Sequence, residues 1–235
     1  MLGEAVERVL GGRLDQLARR HLFVPLRMLD TRFRPPASRL DRIAPTEFDT
    51  AWRRRIVRGE VHDEKAAFLG GVAGHAGLFG SAEDLLTFGE WMLKLVGDEP
   101  PTGSTTKDRW LARRARSDCN LTRVDRRPIC PSDRLRWMAR QFTKRQDVVP
   151  GSSRALGWDT PSAGSSAGSR LSPRSFGHTG FTGTSLWIDP TRQLVVVVLT
   201  NRVHPSRSNS RHVPLRIAVA DLAAALADSQ TTLGR

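Results

Sequence analysis

The chain has 235 residues, 39% of them apolar, and a formal charge of +13 at neutral pH. It is long enough to bury a real core, as one large domain or two closely packed lobes, and too apolar for a disordered composition. No apolar run approaches the ~20 residues that a bilayer span requires. The start, Met1-Leu2-Gly3-Glu4-Ala5-Val6-Glu7-Arg8, places acids where a signal peptide has a basic and then an apolar stretch, so no export signal is expected. The charge is concentrated: residues 101–154 carry fourteen Lys/Arg against five Asp/Glu, nine of the thirteen net charges. Such an excess invites a nucleic-acid reading. The segment has few aromatics to stack bases and no zinc-finger or RNA-binding signature, so nucleic acid is a weak candidate partner. Two cysteines, Cys119 and Cys130, neither require a disulfide nor make a metal site alone.

Residues 2–23 are predicted to be helical, with Leu14, Leu17, Ala18 and Leu22 on one face and Gly11-Gly12 dividing the segment in two. Pro25 closes the second helix, and Leu26 to Pro45 reads as mostly irregular. A glycine-dense stretch from Gly70 to Gly80 ends at Ser81-Ala82-Glu83-Asp84, an N-cap with an acid three residues on. The helix it opens carries Leu85, Leu86, Phe88, Trp91, Met92 and Leu95. Pro100 to Pro131 is polar, basic and aperiodic, the composition of a surface insertion or disordered loop. A short helix is expected around Leu135 to Phe142, then a Ser/Gly/Pro loop from Pro161 to Pro173. The run Phe176-Gly177-His178-Thr179-Gly180-Phe181-Thr182-Gly183-Thr184 enters a strand hairpin. Its second arm, Leu194 to Thr200, has no polar alternation, so both faces should be covered by helices. Ala218 to Leu226 is a strong helix former and a candidate for one of them.

Five blocks occur in order: Leu22-Phe23-Val24-Pro25-Leu26-Arg27-Met28-Leu29-Asp30-Thr31, Gly59 to Ala66, Gly70 to Phe79, Leu156-Gly157-Trp158-Asp159, and the His178-Thr179-Gly180 hairpin. Together they resemble the β-lactamase-related serine hydrolases: class C-like β-lactamases, D-alanyl-D-alanine carboxypeptidases and related esterases. The match covers nearly all of residues 2–227 except about 100–132. The resemblance implies an α+β fold of the β-lactamase/transpeptidase type, with an antiparallel sheet flanked by helices beside a helical lobe, incomplete at the N-terminus. On this basis residues 1–155 are expected to form a mostly helical lobe with a basic irregular insertion near 100–132. Residues 156–228 should supply the C-terminal strands and a covering helix, and 229–235 a tail. A cell-envelope or periplasmic setting is what the family implies.

The resemblance also implies three active-site elements: Ser-x-x-Lys, a tyrosine motif, and Lys- or His-Thr-Gly. His178 would stand where the family's lysine faces a substrate carboxylate, and an imidazolium there would attract the anion. Thr179 and Gly180 complete the substrate-binding triplet, and the Phe181 N–H would be an oxyanion-hole donor. The chain has no tyrosine. The tyrosine motif of the family sits just before a stretch like Leu2 to Val9, so both earlier motifs are expected upstream of it. Ser104-Thr105-Thr106-Lys107 fits Ser-x-x-Lys, but Asp108-Arg109-Trp110-Leu111-Ala112-Arg113-Arg114 follows, not an apolar helix that could desolvate the lysine. Gly164-Ser165-Ser166-Ala167-Gly168 fits a nucleophile elbow without the strand and helix that an elbow needs. His62 and His75 have no third ligand at suitable spacing, so no metal is expected; they are candidate cleft-lining residues or structural ones. No cofactor is expected either.

The expectation is therefore the C-terminal part of an acyl-enzyme hydrolase acting on a β-lactam, a D-Ala-D-Ala peptide or an ester, as a small-molecule or peptidoglycan-type substrate. The alternatives are a non-catalytic remnant or binding module lacking the nucleophile and, third, a basic nucleic-acid-binding module, which a steep salt dependence of DNA binding would favour.

Overall fold

A computed structural model describes residues 1–97, 132–146 and 152–233. The basic stretch from 100 to 131, with Cys119, Cys130 and the Ser104–Lys107 match, lies outside the described residues. Helix α1 (Leu2–Leu10) ends where Gly11 takes a left-handed conformation, φ 66°, as the double glycine predicts. Helix α2 (Leu14–Ala18) runs into a π-helical turn, Arg19–Phe23. That wider turn rotates the following side chains, and it is Phe23, not Leu22, that becomes buried.

The irregular stretch after Pro25 contains a two-residue strand, β1 (Arg32–Phe33), paired antiparallel with β2 (Leu78–Phe79). Short helix α3 (Glu64–Phe68) is capped by Asp63, whose carboxylate accepts from the Ala66 N–H at 2.7 Å. Helix α4 (Ala82–Val96) is capped by the Ser81 hydroxyl, which accepts from the Asp84 N–H. The buried Asp84 carboxylate in turn accepts from the Asp30 N–H at 2.9 Å and the Thr31 hydroxyl at 2.8 Å. One first-turn acid thus ties the block around residue 30 to the helix, in addition to favouring its dipole.

Strands β3 (Phe176–Thr179), β4 (Thr184–Asp189) and β5 (Leu194–Leu199) form an antiparallel sheet in that order, with Gly177 opposite Trp187 and Trp187 opposite Val196. One face packs on α4 and on α5 (Asp133–Thr143), through Met92, Leu95, Val96 and Ala139 against Phe176 and Ile188. The other face packs on α6 (His212–Leu233), through Ala220 and Ala224 against Trp187 and Val196. Both faces of the Val-rich strand are covered, as its lack of polar alternation requires. Two expectations change. Helices α4 and α5, assigned to a helical lobe ending at 155, belong to the sheet, because the apolar stripe of α4 meets Ile188 and Val195. The tail expected from 229 is helical as far as Leu233.

The hairpin end is built around Asp189, which is fully buried. It accepts from the Ser172 N–H and hydroxyl, at 2.9 and 2.6 Å, and from Arg192 at 3.1 Å. Burial alone would raise its pKa, but the hydrogen bonds from Ser172 and Arg192 outweigh that and hold it below the ordinary carboxylate value.

Candidate active site

The His-Thr-Gly triplet leaves the end of β3 and turns at 180–184. Gly180 donates its N–H to Thr184 O at 2.7 Å and accepts from Gly183 at 3.1 Å. A side chain at 180 would collide with the Thr184 hydroxyl, so glycine is needed to close the turn. Gly180, expected to bind substrate, therefore spends its backbone groups on shaping the turn. Arg216 reaches in from α6 and donates through Nη2 to Gly180 O at 2.9 Å and Thr184 O at 2.6 Å.

His178 and Thr179 lie at the accessible end of the strand. The Thr179 hydroxyl has no hydrogen-bond partner among the described residues. His178 Nδ1 is 2.9 Å from Thr179 O, and its Nε2 is 3.3 Å from Nη1 of Arg154. Arg154 is placed there by the turn 152–160, which runs beside β3: Asp159 and Gly177 exchange backbone hydrogen bonds of 2.8 and 2.9 Å. The Asp159 carboxylate also holds the turn by accepting from the Ser153 hydroxyl at 2.8 Å.

Phe181 follows the triplet and is 57% exposed. Its N–H has no acceptor among the described residues, whereas its carbonyl accepts from Arg202 Nε at 2.7 Å. The Arg202 guanidinium lies over the ring at 4.1 Å, and the His62 ring stacks on it with centroids 5.7 Å apart and planes at 20°. His62 is thus brought to the triplet, but as a buried support for Phe181 rather than as a side chain lining a cleft. Its Nε2 bonds Glu47 at 2.8 Å. Glu47 also accepts from Arg207 Nε at 2.6 Å, and Arg207 bonds Glu64 at 2.9 Å. Burial pushes the Glu47 pKa up, but the hydrogen bonds from Arg207 and His62 prevail and lower it to about 2. Arg53 completes the support, donating to the carbonyls of Val61 and His62 at 2.8 and 3.1 Å while paired with Asp49.

His75 bonds the Asp63 carboxylate at 3.2 Å. That bond ties it to the start of α3, which Asp63 caps. Ser166 is flanked by turns, and its hydroxyl accepts from the buried indole N–H of Trp187 at 3.2 Å. It is a structural acceptor, not an elbow. Among the described residues no group of three His, Cys, Asp or Glu could hold a metal ion, and no helix is long and apolar enough to cross a membrane.

The His-Thr-Gly run thus ends a strand of an antiparallel sheet packed between helices. The chain belongs to the beta-lactamase family, whose model matches residues 1–221. It is 30% identical over 226 residues to a putative D-alanyl-D-alanine carboxypeptidase of Escherichia coli K12, covering 87% of this chain and 43% of that protein. A protein of the same description from Salmonella gallinarum is 29% identical over 232 residues, covering 91% and 46%. The chain spans less than half the length of these relatives. Among solved structures it resembles a beta-lactamase from Mycobacterium bovis, with TM-score 0.55 and 21% identity over 96% of this chain and 61% of that one. It also resembles a penicillin-binding protein homologue from Caulobacter crescentus, with TM-score 0.54 and 19% identity over 96% and 55%. A hydrolase with promiscuous acyltransferase activity gives 0.54 and 20%, over 94% and 54%. These likenesses establish the fold.

Proposed function

We propose that residues 178–181 form the substrate wall of a serine-hydrolase site, with the nucleophile and its proton-moving partners in a segment outside these 235 residues. The observation that carries this reading is the Phe181 N–H. It has no acceptor among the described residues, yet the turn bearing it is fixed by Arg216 from below and by Arg202 and His62 on the ring. Donors held ready for charge that develops only in the transition state are what acyl transfer needs, and each is worth ~3–4 kcal/mol. The strand end around Thr179 would take the substrate carboxylate. An incoming serine would attack the acyl carbonyl, and its own N–H would complete the oxyanion hole. Water would then release the acyl group. The relatives' names favour a peptide ending in D-alanyl-D-alanine; β-lactams and small esters share the same acyl chemistry.

The 235-residue chain incubated with labelled penicillin or a fluorophosphonate should form no covalent adduct. A chain that joins these residues to an N-terminal portion supplying Ser-x-x-Lys and the tyrosine motif should form one, on a serine outside residues 1–235. An adduct on Ser104 or Ser166 would overturn the assignment. No adduct in the longer chain would favour a non-catalytic binding module.

A further inference from the structure

We propose that Arg154, not His178, supplies the positive charge for a substrate carboxylate at this strand end, and that His178 is a neutral positioning residue for it. The inference rests on the carboxylate-binding reading above. The hydrogen bonds fix where the imidazole proton sits. Thr179 O is an acceptor only, so the Nδ1 2.9 Å away carries a hydrogen and donates it. The guanidinium of Arg154 is a donor only, so the Nε2 3.3 Å from its Nη1 must present its lone pair. An imidazole with a proton on Nδ1 alone is neutral. A second proton on Nε2 would set N–H against N–H and place two cations in contact.

The charge at the triplet therefore sits on Arg154. Arg154 is an exposed residue, and its guanidinium pairs with no carboxylate among the described residues. One of its five N–H groups is spent on His178, which leaves donors in the planar fork that matches the two oxygens of a carboxylate. The other charged groups around the strand end are already engaged. Asp159 binds Ser153, Arg202 binds the Phe181 and Arg207 carbonyls, and Arg216 binds the 180–184 turn. Histidine in the place of the family's lysine is thus compatible with a permanent cation. The neighbouring turn supplies the cation, and the imidazole aims it.

Two measurements on the 235-residue chain test this. In long-range ¹H–¹⁵N spectra of ¹⁵N-histidine-labelled protein at pH 7.5, His178, assigned by its loss in His178→Gln, should show a protonated Nδ1 and a bare Nε2. An imidazolium or the opposite tautomer would overturn the assignment. Binding of N-acetyl-D-Ala-D-Ala and of its C-terminal amide is then compared at pH 8.5, two units above the ~6.5 at which free imidazole titrates. The acid should bind more tightly than the amide. Arg154→Gln should weaken the acid roughly tenfold or more and leave the amide unchanged. His178→Gln, which keeps an acceptor near the Nε2 position, should cost the acid less than about threefold. Loss of acid binding in His178→Gln with none in Arg154→Gln would refute this inference alone. Equal binding of acid and amide by the unaltered chain would refute both it and the carboxylate site.

Discussion

Arg216 is a buried cation whose charge rests on two backbone carbonyls, with no carboxylate paired to it among the described residues. Burial first, and then Arg202, draws its pKa below the ordinary guanidinium value. Removing it has opposing effects. Arg216→Met relieves a desolvated charge, and neither carbonyl is orphaned, because Gly180 O still accepts from Gly183 and Thr184 O from Gly180. Global stability should therefore change by no more than about 1–2 kcal/mol. The turn should nevertheless loosen, with amide exchange at Gly180 and Gly183 at least tenfold faster. Unchanged exchange there would mean that Arg216 does not hold the turn. The site was only partly legible at this scale. His178, Thr179 and Phe181 announce themselves as a run, but Arg154 comes from 24 residues before its partner and Arg216 from 36 after. In a chain with 37 Lys and Arg, no single arginine stands out. In the reading proposed above, a neutral ring beside Arg154 takes the place of the imidazolium that the motif alone suggests.

Helix α4 approaches β5 through Gly89, which faces the Val195 side chain closely enough that a Cβ would collide with it. Glycine costs about 1 kcal/mol relative to alanine in a helix interior. Here close packing outweighs propensity. Gly89→Ala should destabilise by about 1–3 kcal/mol, because the overpacked methyl must push the helix off the sheet. Urea unfolding measures this directly, and a stabilised variant would show that the helix can shift at no cost. Elements of this kind were readable in advance. The stripe Phe88, Met92, Leu95 has helical spacing, the Val-rich run demands cover on both faces, and the Ala-rich segment supplies it. What stayed unread has a common cause. Strands of two residues, such as Arg32–Phe33 and Leu78–Phe79, are too short to carry a period. The π turn at Arg19–Phe23 continues helix α2 with no Gly or Pro between them to mark the change.

Across the whole molecule, two loops far apart in sequence are stapled behind Phe181. Asn201 donates to Pro45 O at 2.7 Å, His204 to Thr46 O at 2.8 Å, and Arg207 to Glu47 at 2.6 Å. Contacts so distant in the chain are invisible to any local pattern, and they make the support of the site depend on the global fold. They also make it depend on acidity. Glu47 ionises at about 2 in the folded protein against an ordinary 4.5, so the unfolded chain takes up its proton first as pH falls. The stabilisation is fully present above pH 4.5 and is lost progressively toward pH 2. Asp49, Asp63 and Glu64 are also held below their ordinary values, Asp49 chiefly by Arg53, Asp63 by the Ala66 N–H and Glu64 by Arg207. They add to the same slope. Glu47→Gln should lower stability at pH 7 by about 1–3 kcal/mol, since Arg207 and His62 keep only a neutral acceptor. It should also flatten the fall between pH 4.5 and 2 without abolishing it, because the other acids remain. Arg207 is half exposed, so added salt should narrow the gap between the two proteins at pH 7. Urea midpoints across this range would read both effects. If the two proteins keep parallel profiles down to pH 2, the Glu47–Arg207 staple is not what acid breaks.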